Sequence, residues 1–197
     1  GIGDLKVRSM RFIGDEALFV LRTKTEQLGR NFTAQKIELA QGIVLPLDQL
    51  NNPGVILGEQ ASIENGVFGN YGIRQNGSSM KAYFGGIELE KNHRGDYLLE
   101  SGSPSLFEVD LRSLQARRID KPSTPRHSKD WVVDANGSIA ATMRFANESG
   151  KWTIANASGS IIAEGVSPAA GTGLIGLTEN GDHLLYFARA NADSAIE

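Results

Sequence analysis

Cysteine is absent from the 197-residue chain. Its absence excludes disulfides, thiolate metal sites and thiol nucleophiles. It leaves the compartment open, because a disulfide-free protein folds in any of them. Charge of one sign is not in excess either: 20 basic and 23 acidic residues leave a net charge of −3. That balance argues against a general nucleic-acid binder. No apolar run approaches the roughly 18 residues of a membrane-spanning helix, so no membrane partner is expected. Helical periodicity is nearly missing as well. Its best stretch, Asp48 to Asn52, stops at Pro53. The chain opens Gly1-Ile2-Gly3-Asp4, with neither an initiator Met nor a basic-then-apolar signal segment. It stops at Ala195-Ile196-Glu197, shortly after an apolar run. These ends are those expected of a portion of a larger protein.

What is present is 40% hydrophobic residues, 22% charged residues and 23 glycines, the profile of an ordinary globular protein. A chain of this length buries about 70% of its unfolded surface, so a core forms without covalent staples. Short β-type runs recur, punctuated by turn residues. Tyr71 to Arg74 leads into Asn76-Gly77 and then Met80 to Phe84. Trp131 to Asp134 leads into Asn136-Gly137 and then Ile139 to Met143. Leu174 to Leu177 leads into Asn180-Gly181 and then Leu184 to Phe187. Met10 to Ile13, a Gly14-Asp15 turn and Ala17 to Leu21 make a fourth copy. Asn-Gly between two strands predicts a two-residue type I′ hairpin, which needs positive φ at both central positions.

A third strand follows each complete hairpin: Ala34 to Leu39, Ser105 to Leu111 and Lys151 to Ile154. A fourth follows at Val55 to Leu57, Ala116 to Ile119 and Ile161 to Ala163. The last interval between turn glycines fits the ~40–50-residue period of propeller blades. The longer ones require insertions, expected at Thr23 to Arg30 and at Gly85 to Ser103. The expected fold is therefore all-β. Residues 1–197 form a single region, an incomplete propeller of three to four four-stranded blades. The blades fall near 5–58, 66–121, 128–165 and 172–197, with a β-sandwich as the alternative.

The phrase Ser105-Leu-Phe-Glu-Val-Asp-Leu-Arg112, followed by Ala116-Arg-Arg-Ile119, resembles a recurring blade phrase of the prolyl oligopeptidase family. Trp131-Val-Val-Asp-Ala-Asn-Gly137 and Gly176-Leu-Thr-Glu-Asn-Gly181 look like inner hairpins of such blades. Val7-Arg-Ser-Met-Arg-Phe-Ile-Gly-Asp-Glu16 is similar to the hairpin that often begins that propeller. TolB-like and other propellers share these phrases. The family resemblance implies a serine peptidase whose N-terminal propeller covers a C-terminal α/β-hydrolase domain carrying Ser, Asp and His. Here no G-x-S-x-G elbow and no alternating strand–helix pattern occurs. The resemblance then implies a non-catalytic propeller portion that gates peptide substrates, with the hydrolase domain of the same parent as its partner. Self-association of the isolated portion is also expected. A stand-alone binding β-domain without enzymatic activity is the other reading.

The search for chemistry assigns no catalytic, cofactor-binding or metal-ligating residue. His93, His127 and His183 share no metal-ligand spacing and read as solvated loop residues. His127 with Asp130 could form an orienting pair. Ser78 and Ser79 are the most nucleophile-like serines, yet small polar residues belong in hairpin turns. Glu88 and Glu90 alternate and so share a strand face, which reads as solvated. Asp134-Ala-Asn136-Gly137 opens like a calcium loop, but no later acidic ligand arrives at the required place. Arg112, Arg117, Arg118, Lys121, Arg126 and Lys129 form a basic cluster without interleaved aromatics, as on an outer blade edge. Sequons stand at Asn31, Asn76, Asn136, Asn147 and Asn156. They would carry glycans only in a secreted eukaryotic protein.

Overall fold

A computed structural model describes residues 6–27, 36–98, 102–167 and 171–189. Among the described residues the secondary structure is entirely β. The first sheet is a meander of β1 (Lys6–Ile13), β2 (Ala17–Gln27), β3 (Lys36–Pro46) and β4 (Gly54–Val55). The second holds β5 (Asn70–Asn76), β6 (Ser79–Gly86), β9 (Ser105–Asp110) and β10 (Ala116–Asp120) in that spatial order. A small hairpin, β7 (Glu90–Lys91) with β8 (Tyr97–Leu98), is inserted between β6 and β9. The third sheet runs β11 (His127–Val133), β12 (Ile139–Ala146), β13 (Lys151–Asn156) and β14 (Ile161–Val166). A final hairpin pairs β15 (Thr172–Leu177) with β16 (Leu184–Ala188). Among the described residues every pairing of these strands is antiparallel, and no sheet closes into a barrel.

The sheets stack face to face in chain order, because central strands such as β6, β9 and β11 carry apolar residues on both of their faces. Phe19 and Val44 of the first sheet meet Phe84, Phe107 and Val109 of the second, with the Phe19 and Phe84 rings 5.7 Å apart. The connection from β4 to β5 wedges Ile56, Leu57, Ile63 and Val67 into the same core. The opposite face of the second sheet places Tyr83 and Leu106 against Trp131 and Val133 of the third. Tyr71 meets Trp131 edge-on at 5.5 Å. Beyond the third sheet, Val132, Met143, Trp152 and Ile154 pack on Leu174, Leu177 and Leu184 of the final hairpin. Each fully buried large side chain contributes roughly 1.5–3 kcal/mol. The strands β5, β11 and β15, each the first of its sheet, lie beside one another. The first strands of these three units thus line one side of the stack.

Asp48 to Asn52, the best helical stretch of the sequence, forms turns, since five residues before a proline cannot offset the cost of helix nucleation. Three local expectations are corrected. Thr23 to Gln27 is no insertion. It extends β2 in register against β3, and residues 28–30 lie outside the described set, as do Ala34 and Gln35. The third strand instead continues to Pro46. The fourth strand of the first sheet stops at Val55, and Ile56 and Leu57 turn inward to be buried. The insertion at Gly85 to Ser103 is real and carries the β7–β8 hairpin.

The turns also differ from the type I′ expectation. Asn76 pairs with Ser79, so the two-residue loop is Gly77-Ser78. Gly77 has φ +60°, while Ser78 is not among the positive-φ residues. That combination fits a type II′ turn, which needs glycine only at its first corner. At residues 134–138 the Gly137 amide donates to the Asp134 carbonyl at 3.2 Å, and the Asp134 amide donates to the Ser138 carbonyl at 2.9 Å. Only Gly137 takes the left-handed conformation, at φ +84°. This is the three-residue loop in which a tight turn is followed by a left-handed glycine. Asn156 to Ser160 repeats it, with Gly159 at φ +84°.

Candidate functional site: an inner-edge cleft

The adjoining first strands of the second sheet, the third sheet and the final hairpin line an open cleft of about 720 Å³. Tyr71 and Arg74 come from β5, Asp130 to Asp134 from β11 and its turn, and Leu174 to Gly181 from β15 and its turn. Arg74 is the cross-link. Its Nε donates to the Asp134 carbonyl at 2.8 Å and its Nη2 to the Val133 carbonyl at 2.9 Å. Nη1 donates to its neighbour's carbonyl, Ile73, at 3.0 Å. Among the described residues the guanidinium thus meets carbonyl oxygens and no carboxylate. Arg11 on β1 lies near enough to feel it: partial burial and the Arg74 charge push the Arg11 guanidinium down. Burial and the Asp130 carboxylate push the Tyr71 phenol well up. The cleft therefore offers a neutral phenol, a held cation and three carboxylate-bearing residues, Asp130, Asp134 and Glu179. Such walls can hydrogen-bond a polar chain.

The serines, histidines and carboxylates weighed in the sequence are not brought together. Ser79 Oγ donates to the Asn76 carbonyl at 3.2 Å, and Ser78 is exposed at the turn. His93 sits in the turn between β7 and β8. His183 stands just before β16, where its amide donates to Thr178 Oγ1. His127 Nδ1 lies 3.1 Å from Thr124 Oγ1 and 3.3 Å from the Pro125 carbonyl, so its contacts run to these two and not to Asp130. Glu88 is not simply solvated. It accepts from the buried Ser105 hydroxyl at 2.8 Å and from Arg118 at 2.7 Å. The Asp134 carboxylate accepts the amides of Asn136 and Ser138, both at 2.8 Å, which fixes the turn.

The basic cluster falls partly on an edge strand, β10. Arg117 meets Glu108 at 3.1 Å, Arg126 meets Glu148 at 3.5 Å and Lys129 meets Asp120 at 2.5 Å. These pairs cancel much of the local charge, and charged edges discourage strand addition.

Sequence reasoning missed Arg74 and Tyr71. A usable signal was positional: Arg11, Arg74, Asp134 and Thr178 each stand three residues before a turn glycine. Equivalent places in successive hairpins project to one end of the stack.

No family model, no curated protein and no solved structure matches the chain. The class is set by the architecture: an all-β protein of stacked antiparallel sheets with an inner-edge cleft.

Proposed function

We propose that the chain is the non-catalytic propeller portion of a serine peptidase of the prolyl oligopeptidase type, gating peptide access to a hydrolase domain. The inner-edge cleft carries this reading. Its volume falls in the ~300–1,000 Å³ range of small-ligand and short-peptide sites. It mixes backbone edges with a cation, a phenol and carboxylates, the groups that receive peptide termini and amides. Arg74 ties the second and third sheets together at the mouth of that cleft and so sets its width.

The test is peptide hydrolysis by the natural protein containing these residues, with short chromogenic peptides set against folded polypeptides. The wild type should cleave the former and spare the latter. Arg74→Ala should relax that selectivity with the short-peptide kcat little changed. Failure to cleave any peptide, or equal cleavage of folded substrates by the wild type, would overturn the proposal. A stand-alone binding module is the second reading. It is favoured by a separate cationic cleft that a gate does not require.

A further inference from the structure

A second cleft, of about 460 Å³, opens between the β10–β11 connection and the third sheet. In a chain of net charge −3 its wall contains Lys129, Arg144, Lys151 and His127 but no carboxylate among the described residues. The register explains how this charge is concentrated. Lys129 on β11 faces Arg144 on β12, which faces Thr153 on β13. Cross-strand partners share a face with Cβ atoms about 4.5–5.5 Å apart, and like charges directly opposed are destabilising.

Lys129 is relieved by Asp120 at 2.5 Å, with its side chain only 9% exposed, and by the Trp131 ring at 5.7 Å. Asp120 is thereby used up, since it also accepts from Trp131 Nε1 at 2.6 Å. Its carboxyl is held below the usual range: burial raises it, and Lys129 and the indole N–H outweigh that. Arg144 and Lys151 have no such relief, and neither makes a side-chain hydrogen bond or ion pair among the described residues. Glu164 stands one strand further on, opposite Thr153, and is not part of the wall.

We propose that this second cleft binds a small organic phosphate. The Arg144 fork matches two phosphate oxygens at once, Lys151 adds a second full charge, and the Thr124 and Thr153 hydroxyls border the same space. Pro122 and Ala146 supply an apolar wall for the organic group, Ala146 lying two residues from Arg144 on the same strand face. The volume lies toward the low end of the ~300–1,000 Å³ range of ligand sites, enough for a phosphate and one small ring. This site is independent of the peptide-gating reading, because it uses another cleft and other residues.

Calorimetric titration tests it, with phenyl phosphate and inorganic phosphate as probes. Wild type, Arg144→Gln, Lys151→Gln and a distant control, Arg112→Gln, are compared at equal ionic strength. K151Q and R112Q should melt with the wild type, since the substituted side chains are exposed, and R144Q, which removes the like charge opposite Lys129, should melt no lower. Phenyl phosphate should bind the wild type more tightly than inorganic phosphate does. R144Q and K151Q should each weaken it about tenfold, the worth of one charge-assisted hydrogen bond. R112Q should bind as the wild type. Absence of phenyl phosphate binding to the wild type, equal affinity for the two probes, or unchanged binding in R144Q would overturn the assignment.

Discussion

Single residues decide how closely the sheets approach, and Gly137 is the clearest case. It takes a left-handed φ of +84°, and a Cβ there would run into the Tyr83 hydroxyl of the preceding sheet. That hydroxyl is fixed: it donates to Glu108 at 3.0 Å. Burial and the Glu108 carboxylate push its ionisation up to about 12. Gly181 is the natural control, with φ +76° and nothing within 4 Å of where a methyl group would sit. Gly181→Ala should cost only the left-handed backbone term, about 1–2 kcal/mol. Gly137→Ala should cost that plus an overpacking term of about 1–3 kcal/mol. Urea unfolding of the two variants measures the difference. Equal losses would mean that the third sheet's turn does not rest on Tyr83.

Between residue and fold stand the turns, which carry much of the order in the strands they join. Asp110 closes the β9–β10 turn by accepting from the Arg112 and Ser113 amides at 3.0 and 2.9 Å. Its other oxygen accepts from Lys81 of β6 at 2.6 Å. Burial alone would raise this carboxyl, but those donors outweigh it and hold it at about 2. A carboxyl depressed below its unfolded value of ~3.9 stabilises the fold above that pH, and the contribution is lost as pH falls toward 2. Asp110→Asn should therefore be less stable than the wild type near pH 6, and the gap should narrow between pH 4 and pH 2. A gap constant over that range would show that the carboxylate charge contributes nothing.

Strand order and strand type were legible at this scale, since alternation in Ser105 to Leu111 and the hairpin flanks follow from a period of two. Turn geometry was not. The Asn-Gly pairs drew attention to the asparagine, whereas the loops at Gly137 and Gly159 take their side-chain support from Asp134 and Asn156, three residues earlier; at Gly181 the preceding Asn180 does brace the turn, by accepting from Thr178. The cleft residues Tyr71, Arg74 and Arg144 were illegible for a different reason. Their meaning comes from which strand lies beside which, and a single sequence does not encode that register openly.

At the scale of the molecule, the stack leaves two apolar end faces. Met10 and Phe12 project from the first sheet beside Leu18 and Leu45, with Phe12 72% exposed. On the final hairpin Ile175 is 64% exposed, and Leu185 is also open. The run Ala17 to Leu21 is apolar on both faces, the pattern of a strand covered on both sides. Under the proposed function these faces would be covered by neighbouring blades. In residues 1–197 alone, the hairpin face of one copy should cover the first-sheet face of another. Sedimentation should show concentration-dependent association that Phe12→Asp reduces; a monomer at all concentrations would contradict it.

The central functional claim is tested most directly by labelling with a fluorophosphonate, which reacts with activated serines, followed by mass spectrometry of the modified peptide. In the natural protein containing this chain, one serine outside residues 1–197 should be labelled, while the chain alone stays unmodified. A labelled serine within residues 1–197, or a natural protein with none, would contradict the claim.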